Sequence, residues 1–312
     1  MIRDATTLTR RGLIGATAGG VIGHAILGNA AAQDQIPLGG IVVTGPDTID
    51  TIALRNDLHG RITAQVMLNG QGPFRFFVDS GANRSALSAA TAARVGAIPA
   101  GEGIVHSVSG ADIMPMVTLK SLRCGVFQQN DATVPILSDD LMAPVDGMLG
   151  MERFSGLRLE FDNTAREMVV KRPGRPWPGS FSLPANIKFG QLVSAKGRMG
   201  GLSVPIIFDT GAHYALCNIA LRDKLQARAA RLGPMKLATA TMPIFVEDSV
   251  IIPEIRLDNC VLTNTPAYVG DFHIFKLWDM IDQPALIVGM HVLKTVKRFA
   301  FDYRRNEVQF LV

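Results

Sequence analysis

Apolar and polar positions alternate over residues 61–68, turn residues follow at Asn69-Gly70-Gln71-Gly72-Pro73, and residues 74–78 return as a nearly unbroken apolar run. Alternation with period two predicts a half-buried strand, and a short apolar run bounded by turn signals predicts a buried one, so the stretch reads as a β-hairpin. The signature recurs at residues 191–195, the glycine-rich 196–201 and residues 203–208. Both return strands run directly into an acidic tetrapeptide, Asp79-Ser80-Gly81-Ala82 in the first copy and Asp209-Thr210-Gly211-Ala212 in the second.

The register then holds. Ser88 and Asn218 each stand nine positions past the aspartate, both are N-cap residue types, and each opens an Ala- or Leu-rich helical stretch that Gly96 or Gly233 would close. Farther on, Asp146-Gly147-Met148-Leu149-Gly150-Met151 matches Ala285-Leu286-Ile287-Val288-Gly289-Met290, an apolar strand ending at a glycine that lets another backbone approach. A closing hairpin follows in each copy, over residues 159–170 and 299–310. The chain therefore carries an internal repeat. Its organisation reads as a first lobe at 59–172, a proline- and glycine-dense linker at 173–188 and a second lobe at 189–312, preceded by an extension at 33–58. The fold class is all-β, with a short helix per lobe and two lobes related by a pseudo-twofold axis.

Composition narrows the functional classes. At 47% hydrophobic and 19% charged the chain is too apolar for a disordered one, and 312 residues suffice for two cored lobes. Of the net charge of +4, half lies in residues 1–32, which hold three arginines against one aspartate. The remainder is too weakly basic to imply a nucleic-acid partner. Those first 32 residues run from a basic region with Arg10-Arg11, through a charge-free stretch, to the small residues Ala30-Ala31-Ala32. That order is the order of a cleaved export signal, and the paired arginines resemble a twin-arginine signal. The expected location is outside a bacterial cytoplasm, periplasmic or extracellular, with no stable membrane span after signal removal. Cys124, Cys217 and Cys260 have no paired spacing and are expected as free thiols. The six histidines show no metal-ligand spacing, so neither a metal nor a cofactor is expected.

An aspartate at the end of a buried strand is costly, because its carboxylate loses solvation unless it is hydrogen-bonded or protonated. One Asp-Ser/Thr-Gly is ordinary turn chemistry. Two copies with matched surroundings are different: equivalent residues of twofold-related lobes meet only near the axis, where two carboxyls share one proton. The ionised member can then take a proton from water while the protonated member polarises a substrate carbonyl. Gly81 and Gly211 let backbone N–H groups reach the carboxylates, and Ser80 and Thr210 can brace the loops across the axis.

With these residues the chain resembles a bilobed aspartic protease, its two active-site loops at Asp79 and Asp209 and its loop-supporting segments at Gly150 and Gly289. The alanines at 82 and 212 are similar to those of retropepsins and their bacterial relatives, whereas pepsin-like enzymes usually carry Ser or Thr there. Met follows Gly150 and Gly289, unlike the Arg of viral retropepsins. The resemblance implies an endopeptidase without cofactor or metal, acting on a peptide or unfolded protein, and a hairpin flap over the substrate. The flap candidate is residues 104–114, with Ser109, Gly110 and Ala111 at its tip. The second-lobe counterpart, residues 236–246, reads as ordinary packing. A hydroxyl at 82 or 212 would favour an ionised carboxyl, so its absence predicts a mildly acidic optimum. Two loops in one polypeptide make a monomer sufficient. The alternative is a peptide- or protein-binding module that keeps the architecture without catalysis.

Overall fold

The computed structural model describes residues 26–28, 47–57, 60–188, 192–226, 228–230 and 232–312. Most of the expected export segment, most of the extension at 33–58 and His59 lie outside the described residues. The chain is predominantly strand, arranged as two lobes with the same internal plan.

At the centre of the first lobe the short strand Gly147–Leu149 lies parallel to Gln71–Val78 and antiparallel to Ala86–Ser88. In the second lobe Leu286–Val288 lies parallel to Leu202–Phe208 and antiparallel to Ala215–Cys217. Each three-residue strand beyond the acidic loop then runs parallel to a long strand, Phe127–Leu137 or Cys260–Val269. The apolar runs that end at each aspartate are thus central strands, which explains their near-continuous hydrophobicity.

Side chains cap the helices where the residue types predict. The Ser88 hydroxyl accepts the Thr91 N–H at 3.1 Å ahead of the helix Ala89–Arg94, and the Asn218 side chain accepts the Leu221 N–H at 3.0 Å ahead of Ile219–Leu225. The second helix stops earlier than Gly233, at Gln226, whose φ of 46° is the left-handed terminator that glycine usually supplies. In the second lobe the hairpin turn is also shorter than the glycine-rich run suggests. Leu192–Met199 pairs with Leu202–Phe208 as far as Met199 with Leu202, leaving only Gly200 and Gly201 in the turn. Further short helices occur, among them Asp139–Met142 and His273–Leu277, beyond the one per lobe expected.

The lobes are joined by strands. The two closing hairpins lie edge to edge in one antiparallel sheet, with Arg158–Asp162 paired against Arg298–Asp302 so that Arg158 faces Asp302 and Asp162 faces Arg298. Thr48–Ala53 extends this sheet on one side and Phe181–Lys188 on the other. Residues 181–188, inside the span read as a linker, therefore form a strand, because their backbone groups complete the open edge of Glu307–Leu311. Arg158, only 1% exposed, is held by Glu160 at 2.7 Å, by Gln309 at 2.6 Å and, from 3.9 Å, by Asp302. Trp177 stacks on its guanidinium at 4.8 Å.

Candidate active site

The strand from Gln71 delivers Asp79 into a tight loop, and the loop is closed by its neighbours in a way the second lobe repeats. The Asp79 N–H donates to the Leu149 carbonyl and the Asp209 N–H to the Val288 carbonyl, both at 3.0 Å. The Met151 and Met290 N–H groups donate to the Ala82 and Ala212 carbonyls at 2.9 and 2.8 Å. Gly81 N–H donates to Asp79 Oδ1 at 2.8 Å and Gly211 N–H to Asp209 Oδ1 at 2.9 Å.

Gly150 and Gly289 sit beneath these loops because no larger residue fits. A Cβ at Gly150 would stand 2.6 Å from the Arg84 carbonyl carbon, and one at Gly289 2.6 Å from the Ala212 oxygen. Gly81 faces the other lobe: its Cβ would meet Asp209 Oδ1 at 3.0 Å. The two loops are also laced together. Ser80 N–H donates to Thr210 Oγ1 at 2.9 Å and Thr210 N–H to Ser80 Oγ at 3.0 Å, while the two hydroxyls donate to the Phe208 and Val78 carbonyls. Two acidic loops meeting near a pseudo-twofold axis, matched in the contacts just described, define the site.

The family model for aspartyl proteases matches residues 64–153 and 195–292, one stretch in each lobe. The chain belongs to this family. No curated protein matches it. As a member of the aspartyl protease family the chain has the two-lobed, mainly β architecture anticipated above, with one matched stretch per lobe.

Both carboxyls are wholly buried, Asp79 and Asp209 each having no exposure. Burial pushes the Asp79 carboxyl up to about 7, against the opposing pulls of a hydrogen bond with the Asp209 side chain, the Gly81 and Ala82 N–H groups and the Arg61 charge. Burial therefore keeps the Asp79 carboxyl protonated well above the ordinary carboxylate range. Arg61 carries no functional signal in the sequence beyond being a cation at the head of an apolar strand. In the structure it is buried, paired with Asp57 at 2.6 Å, and stacked 4.3 Å over Phe77, two residues before Asp79.

The flap candidate is a hairpin of Ile98–His106 and Ala111–Cys124, longer than the span expected, with Ser107 to Gly110 at its tip. Its outer edge pairs over Ile104–His106 with Ile26–Gly28, which fall within the expected export signal, so cleavage after residue 32 would leave that edge open. The second-lobe counterpart is not ordinary packing: Met235–Leu237 and Ile244–Val246 form a second hairpin, and its tip meets the first. Ser107 and Ser109 hydroxyls lie 2.9 and 2.8 Å from Thr241 Oγ1, and Ser109 Oγ lies 2.6 Å from Thr239 Oγ1. Val108 and Ala240, the residues at the two tips, are fully buried in the same apolar cluster as Ala82 and Ala212. The two hairpins therefore roof the acidic pair. The strands of the second are three residues each, too short to establish a period, which hid it from periodicity.

Cys124, Cys217 and Cys260 are free, and burial raises the first two thiols to about 12. His213 stands edge-on to Tyr214 at 4.3 Å, and its carbonyl takes the His291 N–H. Among the described residues no three His, Cys, Asp or Glu side chains gather as a metal site.

Proposed function

We propose that the protein is an aspartic endopeptidase in which Asp79 and Asp209, sharing one proton, hydrolyse peptide bonds through an activated water. The ionised carboxyl takes a proton from water as its oxygen attacks the peptide carbonyl carbon, and the protonated carboxyl hydrogen-bonds and protonates the carbonyl oxygen. Collapse of the tetrahedral diol returns a proton to the leaving nitrogen, so no covalent intermediate with the protein forms. Ser80, Gly81, Thr210 and Gly211 hold the two carboxyls in register, and Gly150 and Gly289 support the loops from below.

The observation that carries this reading is the hydrogen bond between two fully buried carboxyls, with Asp79 raised to about 7. A singly protonated pair persists through mildly acidic pH, where the activity is expected to peak. The hairpin tipped by Ser107 to Gly110, with Ala111 opening its return strand, is the lid that excludes water once substrate is bound. The substrate is a peptide or an unfolded protein chain. Residues 1–32 serve as the export signal, the enzyme works outside the cytoplasm, and one polypeptide supplies the whole site.

Incubating the protein with a peptide library at pH 3 to 7, beside Asp79→Asn and Asp209→Asn, tests the proposal. Cleavage by the wild type alone is the expected result. Equal cleavage by all three, or none by any, overturns it and leaves a binding module on the same architecture.

A further inference from the structure

The roof over the acidic pair is fastened to the second lobe by more than its hydroxyl tips. His106, the last residue of the outgoing flap strand, places Nδ1 3.1 Å from Nε2 of His273, and the two rings are parallel within 3° at a centroid separation of 5.4 Å. His273 also donates its backbone N–H to the Val108 carbonyl at the flap tip, at 2.9 Å. The two histidines are 167 positions apart in the chain, and they face each other across the interface between flap and second lobe.

From this geometry we propose that His106 and His273 form a proton-operated clasp that holds the first flap shut when the pair is neutral or singly protonated and releases it when both rings are charged. The proposal deepens the reading of the cleft as a proteolytic site, since it regulates access to that same pair of aspartates.

The chemistry of imidazole sets the direction. A ring nitrogen-to-ring nitrogen hydrogen bond needs one donor and one acceptor, which a neutral pair has and a singly charged pair keeps. A doubly charged pair has two donors facing each other, so the bond is lost and two like charges stand about one hydrogen-bond length apart. The closed state binds fewer protons than the open one, so closure is favoured at neutral pH and lost as pH falls. Both rings titrate below the usual histidine value: burial depresses each, with the charge of His273 adding at His106 and that of Lys276 at His273.

Other charged groups near the pair are accounted for. On the flap, Asp112 accepts the Ile113 N–H; ahead of the His273 helix, Asp271 accepts the Ile219 N–H. Asp248 and Glu247, which border the same cavity as His273, come from the segment after the second hairpin, and Asp248 is paired with Arg222 at 2.6 Å. The strand Ile26–Gly28 on the outer edge of the flap brings no charged residue. The hydroxyls of Ser107, Ser109, Thr239 and Thr241 do not ionise in this range, so the pH response of the fastening rests with the histidines.

Hydrogen–deuterium exchange of the full chain without substrate reads the clasp directly. Amides of residues 104–113, corrected for intrinsic exchange, are expected to exchange at least about tenfold faster at pH 5 than at pH 7.5, and His106→Gln with His273→Gln should remove that difference. An Asp209→Asn chain should keep it, which separates the clasp from titration of the aspartates. Wild-type protection that does not change with pH, or the same change in the histidine variant, overturns the proposal. Should the double variant fold poorly, an NMR titration of the wild type decides: two coupled steps below 6.5 support the clasp, and two independent steps near 6.5 overturn it. Neither measurement uses peptide cleavage, so a flap that opens on a chain without proteolysis would sink the enzymatic reading and leave the clasp standing.

Discussion

Ser80 and Thr210 exchange hydrogen bonds across the lobe interface, each backbone N–H donating to the other's hydroxyl at 2.9 and 3.0 Å. Each hydroxyl in turn donates into the opposite lobe, to Phe208 and Val78 carbonyls. Four bonds thus tie the loops that carry the two aspartates.

Thr210→Ala removes an acceptor and a donor together and strands the Ser80 N–H and the Val78 carbonyl in a buried place, at roughly 1–3 kcal/mol for each group. The expected outcome is a Tm lower by several degrees and a kcat at least about tenfold down as the carboxyls lose alignment. Thr210→Ser, which keeps the hydroxyl, should restore both. Thermal unfolding by circular dichroism and single-peptide kinetics check the pair.

The raised Asp79 carboxyl fixes a sign for stability. Its folded value of about 7 lies above the ordinary 3.8, so the folded protein binds this proton more tightly than the unfolded chain. Stability from that proton is fully present below about pH 4 and lost as pH rises toward 7. Asp79→Asn should therefore raise Tm at pH 7.5 and leave it nearly unchanged at pH 4. Melting curves of the two proteins across that range show whether they converge at the acid end.

A hydroxyl beside the carboxyls should move the pH profile. Ala212 lies in the buried loop after Asp209, and Ala212→Thr would offer a donor that favours an ionised carboxyl. We expect both limbs of the kcat/KM profile to shift toward acid by up to about one pH unit. An unchanged profile would mean that residue 212 does not set the proton affinity of the pair.

Arg158 is the keystone of the sheet that joins the lobes. Arg158→Met leaves the buried Asp302 carboxyl facing an apolar side chain, though Glu160 keeps Lys171 at 2.9 Å. A loss of about 3–5 kcal/mol follows from breaking such a pair on one side. Adding Asp302→Asn should recover part of it, and a double-mutant cycle in urea measures the coupling.

The duplicated acidic loops, their N-caps and their glycines were legible because each is dictated locally. A strand must end where Asp79 begins, a cap residue must open the helix at Ser88, and only glycine fits under Arg84 at 150. The second flap was not legible, since its strands are too short to show a period and its tip is held by Thr239 and Thr241 meeting serines of the other lobe. The same holds for His106 with His273 and for Arg158 with Gln309. Each is a contact between residues more than a hundred positions apart, and neither partner has an unusual neighbourhood in the chain. Phe181–Lys188 was hidden differently: its first half pairs with Glu307–Leu311 and its second with Leu192–Met199, so its proline and polar residues resemble a connector until both partners are known.

The two closing hairpins share one continuous sheet, so the strand that ends at Asp209 and the hairpin that closes the first lobe belong to a single plank. On the proposed function, headroom for a substrate would come from lifting the two hairpins. A gap made that way admits something one strand thick and side chains wide. On the proposed function, such a gap would favour slack stretches, termini or chains not yet folded over compact domains.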